Sequence, residues 1–88
     1  MSPRKVQTDL DPERVRQGAT LRAFREKAGL KVGQAANGVP CSYAYLSNIE
    51  AGRKPLTGVM LAKLAALYGV PQAAIARPDL FQDEQVPA

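Results

Sequence analysis

Glycine and proline residues divide this chain into a series of segments. Between the interruptions apolar residues recur at helical spacing, as Val15, Leu21 and Phe24 do, and no segment shows the alternating pattern of a strand. The spacing predicts helices over 12–28, 32–37 and 42–51, a fourth from Thr57 to Tyr68, and a short fifth that begins at Pro71. The expected fold class is therefore all-α, with five helices.

Capping signals indicate where these helices begin and end. Asp11, Ser42 and Thr57 each precede a segment, and their side-chain oxygens can accept the free N–H groups of a first helical turn. Gly29 followed by an apolar residue is typical of a Schellman-type helix end. Gly38 is followed by an apolar residue in the same way, so we expect the second helix to end before it.

The residue inventory argues against an enzyme. The 88 residues include no histidine and one cysteine, Cys41, so zinc sites and Ser-His-Asp or Cys-His catalysis cannot be built. A lone cysteine forms no internal disulfide, which favours a reducing cytoplasm. There is no apolar run long enough to span a membrane and no secretory signal. We expect one domain without cofactor, metal or membrane association.

The positive charge is concentrated in the first part of the chain. Residues 1–54 carry ten Lys or Arg against five acids, which gives +5, whereas residues 55–88 carry two against three, which gives −1. A positive surface suits a polyanion such as nucleic acid. Charge alone equally allows a solvated basic surface that only maintains solubility.

The third predicted helix has an unusual outer face. At 100° per residue, Tyr45, Leu46, Ile49 and Glu50 share one side. The opposite side carries short, uncharged and mostly hydrogen-bonding residues: Tyr43, Ala44, Ser47, Asn48 and Ala51. Such side chains let a helix enter the major groove of DNA and contact base edges, for example Asn with adenine. An inert polar surface helix is the alternative.

Glu50 falls on the inner side of this helix, where an unpaired carboxylate is costly. Arg25, near the end of the first helix, is the candidate partner. We therefore expect an Arg25–Glu50 ion pair that ties the first helix to the third. The alternative is a Glu50 side chain that reaches water from the helix end.

The segment "GLKVGQAANGVPCSYAYLSNIEAGRKP" (29–55) resembles the Cro and phage-repressor type of helix-turn-helix protein, also called the xenobiotic-response-element family. The resemblance covers about 18–76 and implies a five-helix, lambda-repressor-like DNA-binding domain. It places base-reading side chains at Tyr43, Ala44 and Asn48, with Ser47 beside them. It also supports the Arg25–Glu50 pair. The phosphate-contacting candidates are Lys31, Gln34, Ser42, Arg53 and Lys54.

Two positions depart from the family pattern. A gap-free match places Pro40 where the family has a turn glycine, and proline cannot adopt a positive φ. The alternative match makes Gly38 the turn glycine and inserts two residues before Ser42. At the start of the second helix, Val32 replaces the usual Gln, so Gln34 or Lys31 would take over its phosphate contact.

These observations predict a flexible arm (1–10), a helix-turn-helix domain (11–77) and a partly disordered tail (78–88). The expected function is a sequence-specific transcriptional regulator, a repressor that binds double-stranded DNA as a homodimer without a small-molecule ligand. The fifth helix and Leu80-Phe81 are the candidate dimer surface. The rival is a protein-interaction module of the same fold, such as an antitoxin, and an enzyme is a distant third.

Overall fold

The computed structural model describes residues 10–77, which form five α-helices and no strand. Most of the expected arm (1–10) and all of the expected tail (78–88) lie outside the described residues. No helix within 10–77 is long and apolar enough to cross a membrane. The helices are α1 (Pro12–Lys27), α2 (Val32–Gly38), α3 (Tyr43–Glu50), α4 (Gly58–Tyr68) and α5 (Gln72–Ala76).

Side-chain caps start three of the helices, as the sequence predicts. Asp11 Oδ1 accepts from the Glu13 N–H at 2.9 Å, and Ser42 Oγ accepts from the Tyr45 N–H at 3.0 Å. Thr57 Oγ1 accepts from the Met60 N–H at 3.2 Å. Each bond satisfies a donor that the helix itself leaves unpaired.

The end of α1 is also the one predicted. Gly29 has a φ of 78°, and the Leu30 N–H donates to the Arg25 carbonyl at 3.1 Å. This is the long hydrogen bond of a Schellman end. It turns the chain sharply from α1 into α2.

Helix α2 ends one residue later than predicted, and the role expected of Gly38 at this end is wrong. Gly38 is the last helical residue of α2 and has no positive φ, so it does not act as the turn glycine. A Cβ at Gly38 would lie 3.0 Å from Leu67 Cδ1, which shows that this glycine makes room for α4. The turn of residues 39–42 contains no left-handed residue, and the Cys41 N–H closes it by donating to the Ala36 carbonyl at 2.7 Å.

The core lies where α1, α2, α3, α4 and α5 meet. Helix α3 packs against α1 and α2, while α1 also contacts α4 and α5. The largest fully buried side chains are Leu21, Leu46, Ile49, Leu64 and Ile75. Val15, which the spacing places with the inner residues of α1, is 40% exposed but borders Gly52.

Helices α1 and α3 approach closely at Gly18. A Cβ there would lie 2.3 Å from the Glu50 carbonyl oxygen and 2.6 Å from that of Ile49. No side chain can occupy that space, so only glycine allows this approach. The spacing of α1 and α3 thereby sets the position of the helix that carries the candidate site.

Candidate nucleic-acid interface

Helix α3 has only eight residues and owes its stability to tertiary packing. An isolated helix of this length is not stable in water. Leu46 is fully buried and Ile49 is 1% exposed, so one side of α3 is anchored in the core. The opposite side is then held in a fixed orientation toward solvent.

An ion pair adds a second anchor between α1 and α3. Arg25 Nε lies 2.8 Å from Glu50 Oε2, and Arg25 Nη2 lies 3.1 Å from Glu50 Oε1. The two side chains are 9% and 7% exposed, so Glu50 does not reach out to water. Arg25 Nη1 also donates to the Leu30 carbonyl at 2.9 Å, which connects the pair to the α1–α2 turn.

Hydrogen bonding to Glu50 raises the pKa of the Arg25 guanidinium above its ordinary value, while its desolvation acts in the opposite direction. The net direction means that the carboxylate stabilises the cation more than burial disfavours it. Because both hydrogen bonds are parallel and charge-assisted, they fix the orientation of α3 as well as its distance from α1.

The outer face of α3 is open at its first turn. Tyr43 is 63% exposed and Ala44 is exposed. One turn later Ser47 and Asn48 are half-buried. These are the four residues that the sequence singled out as base-reading candidates, and they share one side of the helix.

Of these four residues, Ser47 is the one that lines a cleft between α1, α2 and α3 that also contains Arg22 and Arg25. This cleft has a volume of about 300 Å³. Its lining residues are Arg22, Arg25, Val32, Ser47, Glu50 and Ala51. Ser47 is therefore at the edge of the outer face, next to cationic side chains of α1.

The segment after α3 folds back onto Asn48. Gly52, at a φ of 83°, reverses the chain, and the N–H groups of Arg53 and Lys54 donate to the Asn48 carbonyl at 2.9 and 3.3 Å. Arg53 Nη1 also donates to Asn48 Oδ1 at 3.3 Å. Arg53 and Lys54 are both exposed, so two cations lie directly beside the end of α3.

The remaining phosphate candidates lie at helix starts. Gln34 Oε1 accepts from the Lys31 N–H at 2.7 Å, so the Gln34 amide turns back and its NH₂ group is free to donate. Ser42 uses its oxygen for the α3 cap and keeps its hydroxyl hydrogen for a donor contact. Val32 packs against the core, and its side chain has no hydrogen-bonding group, so it cannot make the phosphate contact of the family's Gln.

The sequence reasoning did not single out Arg22. This residue lines the same cleft as Ser47, and its Nε lies 3.0 Å from Glu26 Oε2. The sequence contained a signal for this position. Arg22 lies three residues before Arg25 on α1, and residues at this spacing are neighbours on a helix surface, so Arg22 could have been placed beside the Arg25–Glu50 pair.

Two packed helices joined by the turn 39–42, with the outer face of the second one open, define a helix-turn-helix domain. The family model described as a helix-turn-helix domain matches residues 17–77, more than half of the chain, and the chain belongs to this family. No curated protein matches the sequence significantly.

Two solved structures of the clp gene regulator ClgR from Corynebacterium glutamicum are similar to this chain. The first is 29% identical to this chain and has a TM-score of 0.71. The alignment covers 89% of this chain and 96% of the ClgR chain. The second is 30% identical and has a TM-score of 0.72, and the alignment covers 86% of this chain and 85% of the ClgR chain.

Proposed function

We propose that this chain is a sequence-specific transcriptional regulator that binds double-stranded DNA with α3 in the major groove. The observation that carries this proposal is the outer face of α3, where short uncharged side chains lie on a helix that the core and a buried ion pair hold in place. Membership of the helix-turn-helix family and likeness to a gene regulator support the same conclusion.

In this proposal Tyr43, Ala44, Ser47 and Asn48 contact base edges. Neutral side chains of this kind can donate to and accept from bases, and Ala44 can pack on a thymine methyl group. The phosphate contacts come from Lys31, Gln34, Ser42, Arg53 and Lys54. These contacts set the position of α3 on the duplex, while the base contacts supply specificity.

The finer parts of the proposal concern regulation. The chain acts as a repressor that occupies a pseudo-palindromic operator as a homodimer, in the bacterial cytoplasm. One module of this size buries roughly 600–1,000 Å² on DNA, so that pairing two modules raises affinity and specificity. Half-sites about one helical turn apart are expected for such a dimer.

Selection of binding sites from a random duplex library, at about 150 mM salt, tests the proposal, since salt sets the contribution of phosphate contacts. Recovery of a two-fold symmetric motif supports sequence reading by a dimer, and a short asymmetric motif supports a monomer. Weak, salt-sensitive binding to every sequence contradicts the proposal and favours the rival protein-interaction module.

Replacement of Asn48 tests the role of α3 directly. Asn48→Ala is expected to cost about 1–3 kcal/mol of binding free energy and to relax specificity at one or two base pairs. Asn37→Ala, an equivalent change at an exposed position late in α2, is the control and should leave the motif unchanged. Uniform weakening of all sequences by Asn48→Ala would show that α3 does not read bases.

A further inference from the structure

The contact between Arg53 and Asn48 gives Arg53 more than the phosphate role that the sequence assigned to it. Gly52 turns the chain back so that Arg53 reaches Asn48 twice: its N–H donates to the Asn48 carbonyl at 2.9 Å, and its Nη1 donates to Asn48 Oδ1 at 3.3 Å. A Cβ at Gly52 would lie 2.7 Å from Val15 Cγ2, so packing against α1 keeps this turn in place. The fold thus fixes the backbone of the turn, from which the exposed Arg53 side chain reaches Asn48.

The chemistry of the two side chains determines how Asn48 is oriented. A guanidinium has only donors, so the amide atom that faces it must be the oxygen. The NH₂ group of Asn48 is then directed away from Arg53. Oδ1 already accepts one hydrogen bond, and the guanidinium has further N–H groups of its own. Together the two side chains offer more donors than acceptors.

We propose that Arg53 is a positioning residue for base recognition, which holds the Asn48 amide with its NH₂ group toward the DNA. The inference rests on the proposed function, in which α3 reads bases. The major-groove edge of guanine carries two acceptors, N7 and O6, whereas adenine carries an acceptor and a donor. The donor-rich pair therefore selects guanine at the base pair that Asn48 contacts, instead of the adenine that an unrestrained Asn prefers.

Lys54 provides a matched control for this role. It is the next cation along the chain and is exposed like Arg53. Its contact with Asn48 is made by the backbone N–H at 3.3 Å, and this group remains when the side chain is shortened. Arg53→Ala and Lys54→Ala each remove one positive charge, but only the first removes the bond to Asn48 Oδ1.

The experiment measures affinity for the selected operator and for duplexes altered at each base pair. Lys54→Ala should weaken binding to all duplexes by a similar factor and reduce the salt slope by about one. Arg53→Ala should do the same and also lose the preference for guanine at the Asn48 position, by about 5- to 100-fold. In an Asn48→Ala background, Arg53→Ala should remove no further base preference.

Arg53→Lys separates charge from geometry. It should keep the salt slope of the wild-type protein but lose part of the guanine preference, because a lysine ammonium is a point charge on a flexible stem and does not reproduce the bond from Arg53 Nη1 to Asn48 Oδ1. Identical specificity profiles for Arg53→Ala and Lys54→Ala would overturn the inference. A wild-type preference for adenine at this base pair would also overturn it.

A measurement without DNA distinguishes failure of this inference from failure of the proposed function. NMR relaxation of the Asn48 side-chain amide should report restricted motion in the wild type and in Lys54→Ala, and free motion in Arg53→Ala. Free motion in the wild type overturns the positioning role even if the protein selects a motif. Restricted motion in a wild-type protein that selects no sequence means that the proposed function has failed, and the recognition role of Arg53 fails with it.

Discussion

Removal of Arg25 or Glu50 should lower stability strongly, because the partner that remains would be an almost buried charge without a counter-ion. We expect Glu50→Ala to lower the free energy of unfolding by about 3 kcal/mol or more, since an uncompensated cation then remains in the interior. Urea denaturation followed by circular dichroism measures this change. Weaker DNA binding should accompany it, because the pair also orients α3.

A surface pair provides the comparison. Glu26 pairs with Arg22, but both side chains are more than half exposed, so Glu26→Ala should change stability by at most about 0.5 kcal/mol. The double change of Arg25→Met with Glu50→Leu should recover most of the stability that Glu50→Ala loses, because no buried charge remains. An unchanged urea midpoint for Glu50→Ala would contradict the buried-pair interpretation.

Tyr68 is one residue that makes stability depend on alkaline pH. Its hydroxyl oxygen is buried without a hydrogen-bond partner among residues 10–77, and burial raises its pKa from 10.0 to about 12, with a smaller contribution from Glu50. The unfolded chain loses this proton near its ordinary value, whereas the folded chain holds it longer. The contribution to stability is therefore complete below pH 10 and is lost as pH rises from about 10 to about 12.

Tyr68→Phe should remove this alkaline loss, which we expect to be about 1 kcal/mol because the ring is partly exposed and solvent screens the effect. At neutral pH the same change should leave stability unchanged or raise it slightly, since an unpaired buried hydroxyl is removed. Thermal melts between pH 7 and pH 12 test both statements. Tyr43→Phe, at an exposed position, is the control, and an equal response of the two variants would contradict the assignment to Tyr68.

Between elements, the contact of α1 with α3 depends on the missing side chain at Gly18. Gly18→Ala should lower stability by about 1–3 kcal/mol, because the added Cβ would overlap the Glu50 and Ile49 carbonyl groups. Its higher helix propensity, worth about 1 kcal/mol, does not offset this overlap. Chemical denaturation of Gly18→Ala and Gly58→Ala checks it, because Gly58 starts α4 with nothing within 4 Å of an added Cβ. Gly58→Ala should be neutral or stabilising, and equal effects would contradict the steric argument.

The elements also show what can be derived from sequence. The helix bounds agree within about one residue, since Asp11, Ser42 and Thr57 act on donors that lie two or three residues away. The role of Gly38 was predicted wrongly because this glycine makes room for the side chain of Leu67, which is distant in sequence. The cleft beside Ser47 was missed because it arises only when the helices pack. The Arg53 contact was missed because it depends on how the turn at Gly52 directs the chain back toward Asn48. The spacing of apolar residues thus predicts which face of α3 is open, but the folded structure determines which residues lie beside that face.

For the whole molecule, the uneven charge of the chain and its fold act together. The excess of positive charge lies in residues 1–54, which include α1, α2, α3 and the two cations after α3. Residues 55–88, with a slight negative balance, include α4 and α5, which pack against α1. A polyanion is therefore attracted to the half of the chain that carries the open face of α3. Such a field increases association rates at low salt without supplying specificity.

Homodimer formation is the prediction that belongs to the whole molecule. Ala74 and Ile75 of α5 are 8% and 0% exposed, so the core already occupies the apolar side of that helix. Of the dimer surface expected from the sequence, Leu80 and Phe81 remain, and both lie outside the described residues.

The double change Leu80→Ser with Phe81→Ser should convert a dimer to a monomer in analytical ultracentrifugation, with unchanged helical circular dichroism. Operator affinity should then fall and half-site affinity should not, because α3 itself is unaltered. A dimer that persists would mean that the copies meet elsewhere, and a monomeric wild-type protein would contradict the homodimer.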